Sequence, residues 1–366
     1  MLITTRKLLP RVCSVAALIA SLPAHAQSSV TLYGVLDAGL LYMSKTATPG
    51  TNVNAGKYIG FADSGYSPSL FGLAGVEDLG GGLKAEFKLE SGINLGTGGY
   101  NNSNGNLWGR QAWLALDSDK AGRLKLGLQF SPFFESLFDL DPRLSLTGST
   151  LLPYLNNVAG TGIFTPNAVS YTSPTFYGLQ GSVMYAFGNQ PGDMQAGRQV
   201  SARLKYDAHN LLVEAAYYDA NPGGAVQTVP PTDVPFEGRM IGFGYTFEKL
   251  TVKASFTNYK VKGSGNNNNV YGIGASYMAT PTLNLNGATY YEINRNDSSS
   301  HALWGIVGAS YFLSKRTTLY SQVGVISNKG GMRQGMVTGE NAPPANSLFL
   351  PEGTAAIVNL GIRHTF

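Results

Sequence analysis

The sequence predicts an all-β protein, a 16-stranded antiparallel transmembrane β-barrel with short periplasmic turns and long extracellular loops. Three observations point to it. Segments in which apolar and polar residues alternate recur along the chain, short and long connections take turns between them, and the last such segment ends on Phe366. Side chains of a strand point to opposite faces with a period of two, so each segment has one apolar and one polar side. A barrel that is apolar only on alternate residues also suits 46 Gly, 20 Tyr and 13% charged residues.

Ahead of the strands, Arg6, Lys7 and Arg11 precede an apolar run from Val12 to Leu22, and Ala24-His25-Ala26 follows as a small-x-small site. Residues 1–26 therefore read as a secretory signal peptide, cleaved between Ala26 and Gln27, and 27–366 as the barrel domain. The apolar run is about half the ~20 residues that a spanning helix needs. Cys13, the single cysteine, falls inside the signal, which leaves no disulfide framework and no thiolate metal site. Removing the three basic residues of the signal leaves 23 basic against 22 acidic groups, a charge that points to no nucleic-acid partner.

The first strand places Val30, Leu32, Gly34, Leu36, Ala38, Leu40 and Tyr42 on one face, with Asp37 opposite. The clearest alternation runs from Leu83 to Ile93: Leu83, Ala85, Phe87 and Leu89 on one side, Lys84, Glu86, Lys88 and Glu90 on the other. A helix would scatter these charges around its circumference, whereas a strand sorts them. Val200, Ala202, Leu204 and Tyr206 alternate with Ser201, Arg203, Lys205 and Asp207; further rows follow at 211–217, 241–247 and 356–362. Alternation is weak around 167–187 and 302–313. Short turns read at 78–82, 117–122, 207–210, 248–249, 279–281 and 314–316, and long loops at 44–66, 96–106, 131–166, 188–197, 219–237, 262–269, 293–301 and 327–354. The count is about sixteen strands, too many for one β-sandwich, and the polar faces carry too much charge to pack as a second core. Tyr42, Trp113, Tyr185, Phe187, Tyr245, Phe247, Tyr291, Tyr320 and Phe366 lie near strand ends and are expected in the two aromatic girdles.

The segments Gln27–Gly34, Phe71–Ala85, Gly109–Trp113, Tyr171–Phe176 and Gly361–Phe366, in this order, resemble Gram-negative general porins over the whole mature chain. The resemblance implies a homotrimeric, water-filled channel in the outer membrane, for passive diffusion of small hydrophilic solutes and ions, with lipid and lipopolysaccharide around it. It implies that the third long loop, Ser131 to about Pro166, folds inward as the constriction. Its Glu135, Asp139 and Asp141 would then face a cluster of basic residues on the opposite wall, creating a transverse field. Arg110 stands where the pattern expects an arginine. Leu70 and Phe164 stand where basic residues are common, and Ala74 where lysine is frequent. The constriction is then half-lined by apolar groups and less anion-attracting than in relatives, unless Lys84, Lys88, Lys125, Arg143 or Arg203 reaches the same space. Asp37, Lys84, Glu86, Lys88, Glu90, Arg203 and Lys205 are the other charges expected on the lumen wall. Phe366 resembles the signal read by the outer-membrane assembly machinery.

An outer-membrane enzyme would need a nucleophile or activated water beside a His and a carboxylate. His209, His301 and His364 fall in a turn, a loop end and a strand rim, and no cluster has metal-ligand spacing, so no catalytic residues, cofactor or metal are expected. Two alternatives stay open. One is a channel tuned to less polar or aromatic solutes through Leu70 and Phe164; the other is a barrel with an adhesive surface loop at 327–354.

Overall fold

A computed structural model describes residues 29–48, 51–143, 145–157, 163–225, 235–338 and 349–366. The expected signal peptide and its cleavage site lie outside these residues, as does the middle of the loop at 327–354.

Seventeen strands follow one another: β1 (Ser29–Ala47), β2 (Asn54–Asp63), β3 (Leu70–Gly80), β4 (Leu83–Gly92), β5 (Gln111–Ser118), β6 (Gly122–Phe130), β7 (Phe164–Thr172), β8 (Leu179–Ala186), β9 (Gln199–Ala208), β10 (Leu211–Ala220), β11 (Phe236–Phe247), β12 (Leu250–Val261), β13 (Asn267–Thr280), β14 (Leu283–Asn294), β15 (His301–Phe312), β16 (Thr317–Lys329) and β17 (Gly353–Thr365). Sixteen of them, β1 and β3 through β17, form a closed antiparallel ring. Closure comes from β1 against β17, in register from Val35 opposite Thr365 to Met43 opposite Ile357. Gly34 and Phe366 extend the ladder, exchanging two backbone hydrogen bonds of 3.1 Å. A closed ring leaves no unpaired edge, which a bilayer demands.

The alternation decides which side each residue takes. Leu204, Ile241, Phe243, Val307, Val323 and Leu360 are exposed on the outer face, while the residues between them turn into the lumen. Short connections are tight: His209-Asn210 and Gly81-Gly82 join their strands with positive φ at both positions, the twist that two-residue hairpins favour. The rings of Tyr185 and Phe187 meet edge to face at 4.9 Å on the long-loop rim, and those of Tyr245 and Phe247 lie tilted at 4.4 Å on the short-turn rim. Two of the expected girdle aromatics instead point inward. Trp113 lies under lumen cations, and the buried Tyr320 donates to Asp37 at 2.7 Å. Their parity, shared with Gln111 and Gln322, overrides their nearness to a rim.

The expected loop at 44–66 is also corrected. Asn54–Asp63 is a strand, bonded to the upper half of β1 from Ala38 to Ala47, outside the ring. Lower down, residues 29–35 of β1 pair with β3 instead. The chain thus leaves β1 at Asp63, bends through 64–69, and rejoins it as β3. Thr48, Thr51 and Asn54 around the β1–β2 connection made this stretch look like a loop, but Ile59 and Phe61 alternate outward as in any other strand.

Candidate functional site

The loop after β6 turns into the lumen, and its described residues form two short helices, α1 (Pro132–Asp139) and α2 (Leu151–Asn157). Its start is locally encoded. Ser131 caps α1 by accepting from Phe134 N–H at 3.1 Å, and Pro132 occupies the first turn, where its missing N–H costs nothing. The helix buries Phe133, Phe134 and Leu137 against the wall. Tyr154 of α2, Tyr218, Phe236 and Tyr259 complete an aromatic cluster with centroids 5.5–6.3 Å apart. Burying each such ring contributes about 1.5–3 kcal/mol. Burial also raises the pKa of the Tyr154 hydroxyl far above its ordinary range. Wall glycines make room for the loop: a Cβ on Gly238 would lie 2.9 Å from the Phe133 ring, one on Gly242 2.7 Å from Leu140, and one on Gly274 2.6 Å from Pro142.

Beyond α1 the loop follows the wall to the far side. Arg143 donates through Nε to Asn286 Oδ1 at 3.0 Å on β14, and Gln322 of β16 donates to Ser145 Oγ at 2.5 Å. Burial lowers the Arg143 pKa, with Asp141 working against the shift. At 146–147 the loop meets the bend 64–69: Leu146 N–H donates to Tyr66 O at 2.9 Å and the Thr147 hydroxyl to Gly65 O at 2.7 Å. The bend is fixed by Asp37, whose carboxylate accepts from Tyr66 N–H at 3.0 Å, Ser67 N–H at 2.8 Å and the Tyr320 hydroxyl.

The loop carboxylates pair not with Arg110 but with Arg203, one of the cations named as able to reach the same space. Arg203 on β9 contacts Asp139, Glu135 at 3.3 Å and Glu214 at 2.7 Å, and Lys205 contacts Asp139 at 2.9 Å. Burial pushes the Asp139 pKa up, but the Lys205 hydrogen bond and the Arg203 charge outweigh it and hold the carboxyl below its ordinary range. Lys253 on β12 donates to Asp139 O at 2.6 Å and Asp141 O at 3.0 Å. Glu135 and Asp139 keep 39% and 36% of their side chains exposed. Asp141 does not share this position. It is buried and accepts from Thr150 and Tyr290, closing the turn of the loop.

The wall of β3–β6 has a different character. Glu90, 4% exposed, is surrounded by donors: Arg110 Nε at 2.9 Å, the Tyr33 hydroxyl at 2.9 Å, Lys88 at 3.1 Å and Gln111 at 3.3 Å. Lys88 and Arg123 stay 28% and 34% exposed. Arg123 pairs with Glu86 and lies over the Trp113 ring together with Lys125. Lys84 sits lower on the same face, 3.9 Å from Asp119.

Arg110, expected to face the loop carboxylates, is held by Glu90 and lies over the Phe164 ring at 5.1 Å. Leu70 and Phe164 are 9% and 3% exposed, so neither offers a wide apolar surface to the lumen. Asp37 faces inward but is covered by the bend. Parity had placed Arg203 and Lys205 on the lumen side; what it lacked was the path of the loop above them.

The chain matches the Gram-negative porin family over residues 13–331. It is 31% identical to outer membrane porin protein 32 of Delftia acidovorans, with 96% of this chain and 98% of that one covered. It is 27% identical to an outer membrane porin of Bordetella pertussis, over 94% and 96% of the two chains. Among solved structures, the anion-selective porin from Comamonas acidovorans superposes with a TM-score of 0.78 at 27% identity, covering 93% of this chain and all of that one. The trimer form of OmpT from Vibrio cholerae superposes at 0.64 with 14% identity, over 93% and 99%, a likeness of fold.

Proposed function

The chain belongs to the Gram-negative porin family, and from that membership we infer how its lumen sorts solutes. It is an outer-membrane channel for passive diffusion of small hydrophilic solutes and ions. We propose that it prefers small anions. One observation carries this reading: on the β3–β6 wall two cations, Arg110 and Lys88, share the single buried Glu90 carboxylate with Tyr33 and Gln111, which leaves positive charge in excess, and Lys88 and Arg123 stay partly exposed to the lumen. Facing it, Glu135 and Asp139 are each paired with Arg203, which weakens the opposing negative row. Charges near low-dielectric walls focus the field on the water between them. Arg110 acts here by holding Glu90, and Leu70 and Phe164 support a substrate-tuned apolar pore poorly because they are covered.

The test is the reversal potential in a potassium chloride gradient across a planar bilayer. Chloride preference is expected; a cation-preferring channel would overturn the reading.

Residues 1–26 serve as a cleaved signal and 27–366 as one barrel domain, assembled as a homotrimer among lipid and lipopolysaccharide. The trimer form of the Vibrio cholerae relative supports that state. No enzymatic activity is assigned, since His209 sits in a hairpin turn, His301 beside Tyr291, and His364 against Thr317. Phe366 serves the assembly machinery as a recognition residue. Its deletion should impair trimer formation and spare export; normal amounts of heat-modifiable trimer would count against that role.

A further inference from the structure

We propose that Trp113 is the positioning residue that sets the ion preference of this channel, by fixing the place of Lys125 without cancelling its charge. The proposal rests on the anion-preferring reading above. Trp113 projects from β5 into the lumen, opposite Lys88 on β4 and Gly127 on β6. Its indole N–H donates to Gln111 Oε1 at 3.0 Å, and the Gln111 amide donates to Glu90 Oε1 at 3.3 Å. The ring is therefore oriented by the same carboxylate that holds Arg110 and Lys88.

Two cations lie over that ring, Arg123 Cζ at 4.9 Å and Lys125 Nζ at 5.4 Å from its centroid. Both fall within the ~6 Å over which an aromatic quadrupole attracts a cation. They differ in one respect. Arg123 also pairs with Glu86, whereas Lys125 has no carboxylate within 4 Å among the described residues. Glu135 on α1 and Glu86 on β4 act on it only at longer range. A carboxylate partner would fix the ammonium but offset part of its field, as Glu86 does for Arg123. An aromatic face fixes it and leaves the net positive charge available to a passing anion. Trp113 thus acts through Lys125, touching the permeant ion only indirectly.

The experiment compares Trp113→Leu, Trp113→Phe, Lys125→Gln and the Trp113→Leu/Lys125→Gln double variant in planar bilayers, reading the chloride-to-potassium permeability ratio, with heat stability of the assembled channel as control. Trp113→Leu is expected to lower the ratio roughly 2–5-fold, the factor that corresponds to a cation–ring attraction of about 0.5–1 kcal/mol. Trp113→Phe should keep most of it, and the double variant should differ little from Lys125→Gln alone. An unchanged ratio in Trp113→Leu, equal effects of Leu and Phe, or a full Trp113 effect in the Lys125→Gln background would overturn the proposal. Should the Leu variant fail to assemble, the ratio across Trp, Tyr and Phe at this position decides: a decline expected with weaker π faces, a flat series against it. A wild type without chloride preference defeats the functional reading itself. A chloride-preferring wild type indifferent to Trp113 defeats this proposal alone.

Discussion

The two sides of the lumen use charge in opposite ways. On the side from β8 to β17, the infolded loop lies on the wall, and its carboxylates are spent on holding it there: Asp139 and Glu135 on Arg203, Asp141 on Thr150 and Tyr290. On the barer side from β3 to β6, Lys88, Arg123 and Lys125 project from a wall whose acidic hub, Glu90, is enclosed. The same residue types are structural where they are covered and functional where water reaches them. Burial decides which, because an ion pair removed from water is tightly coupled to its neighbours, whereas an exposed charge keeps its field.

The comparison can be broken most severely at Arg203. Replacing it with Met leaves Glu214, fully buried on β10, without its main counter-charge, a change worth about 3–5 kcal/mol. The loop should loosen, seen as noisier conductance steps and faster proteolysis between 132 and 157; a quiet channel of wild-type stability would show that the aromatic cluster alone holds the loop. Acid gives a smaller test of the same side. The Asp139 carboxyl titrates below its unfolded value of ~3.9, so its contribution is complete above that pH and is lost as pH falls through the lower folded value. Conductance should therefore change below about pH 4 in the wild type and not in Asp139→Asn. Identical acid profiles would assign the change elsewhere. The smallest effect is expected on the barer side. Lys88→Gln should cost less stability than Arg203→Met, because Arg110, Tyr33 and Gln111 still hold the buried Glu90, yet reduce chloride preference in the reversal potential. A stability loss with unchanged selectivity would erase the difference between the two sides.

Much of the fold was legible in the residues. Lys84, Glu86, Lys88 and Glu90 announce a strand with one wet face, and Asp207 to Asn210 a short turn, because both signals are local. The stretch 54–63 escaped, since its strand pairs only with an overlong β1, and nothing nearby says that β1 continues to Ala47. At the site, parity placed Arg203, Lys205 and Lys88 in the lumen. It did not tell which would meet the loop, and it would have drawn Trp113 inward had its parity with Gln111 outweighed its nearness to the strand end.

By itself, then, the sequence determined the barrel, its strands and turns, and the side to which each residue points, because the period of two is a property of the chain over a few residues. Only the tertiary structure decided which charges are neutralised. Arg143 meets Asn286 across 143 positions, and Asp37 meets Tyr320 across 283. Such pairings depend on where the loop and the bend lie once the ring has closed, and that closure fixes water access, which separates the buried Asp141 from the half-buried Lys88.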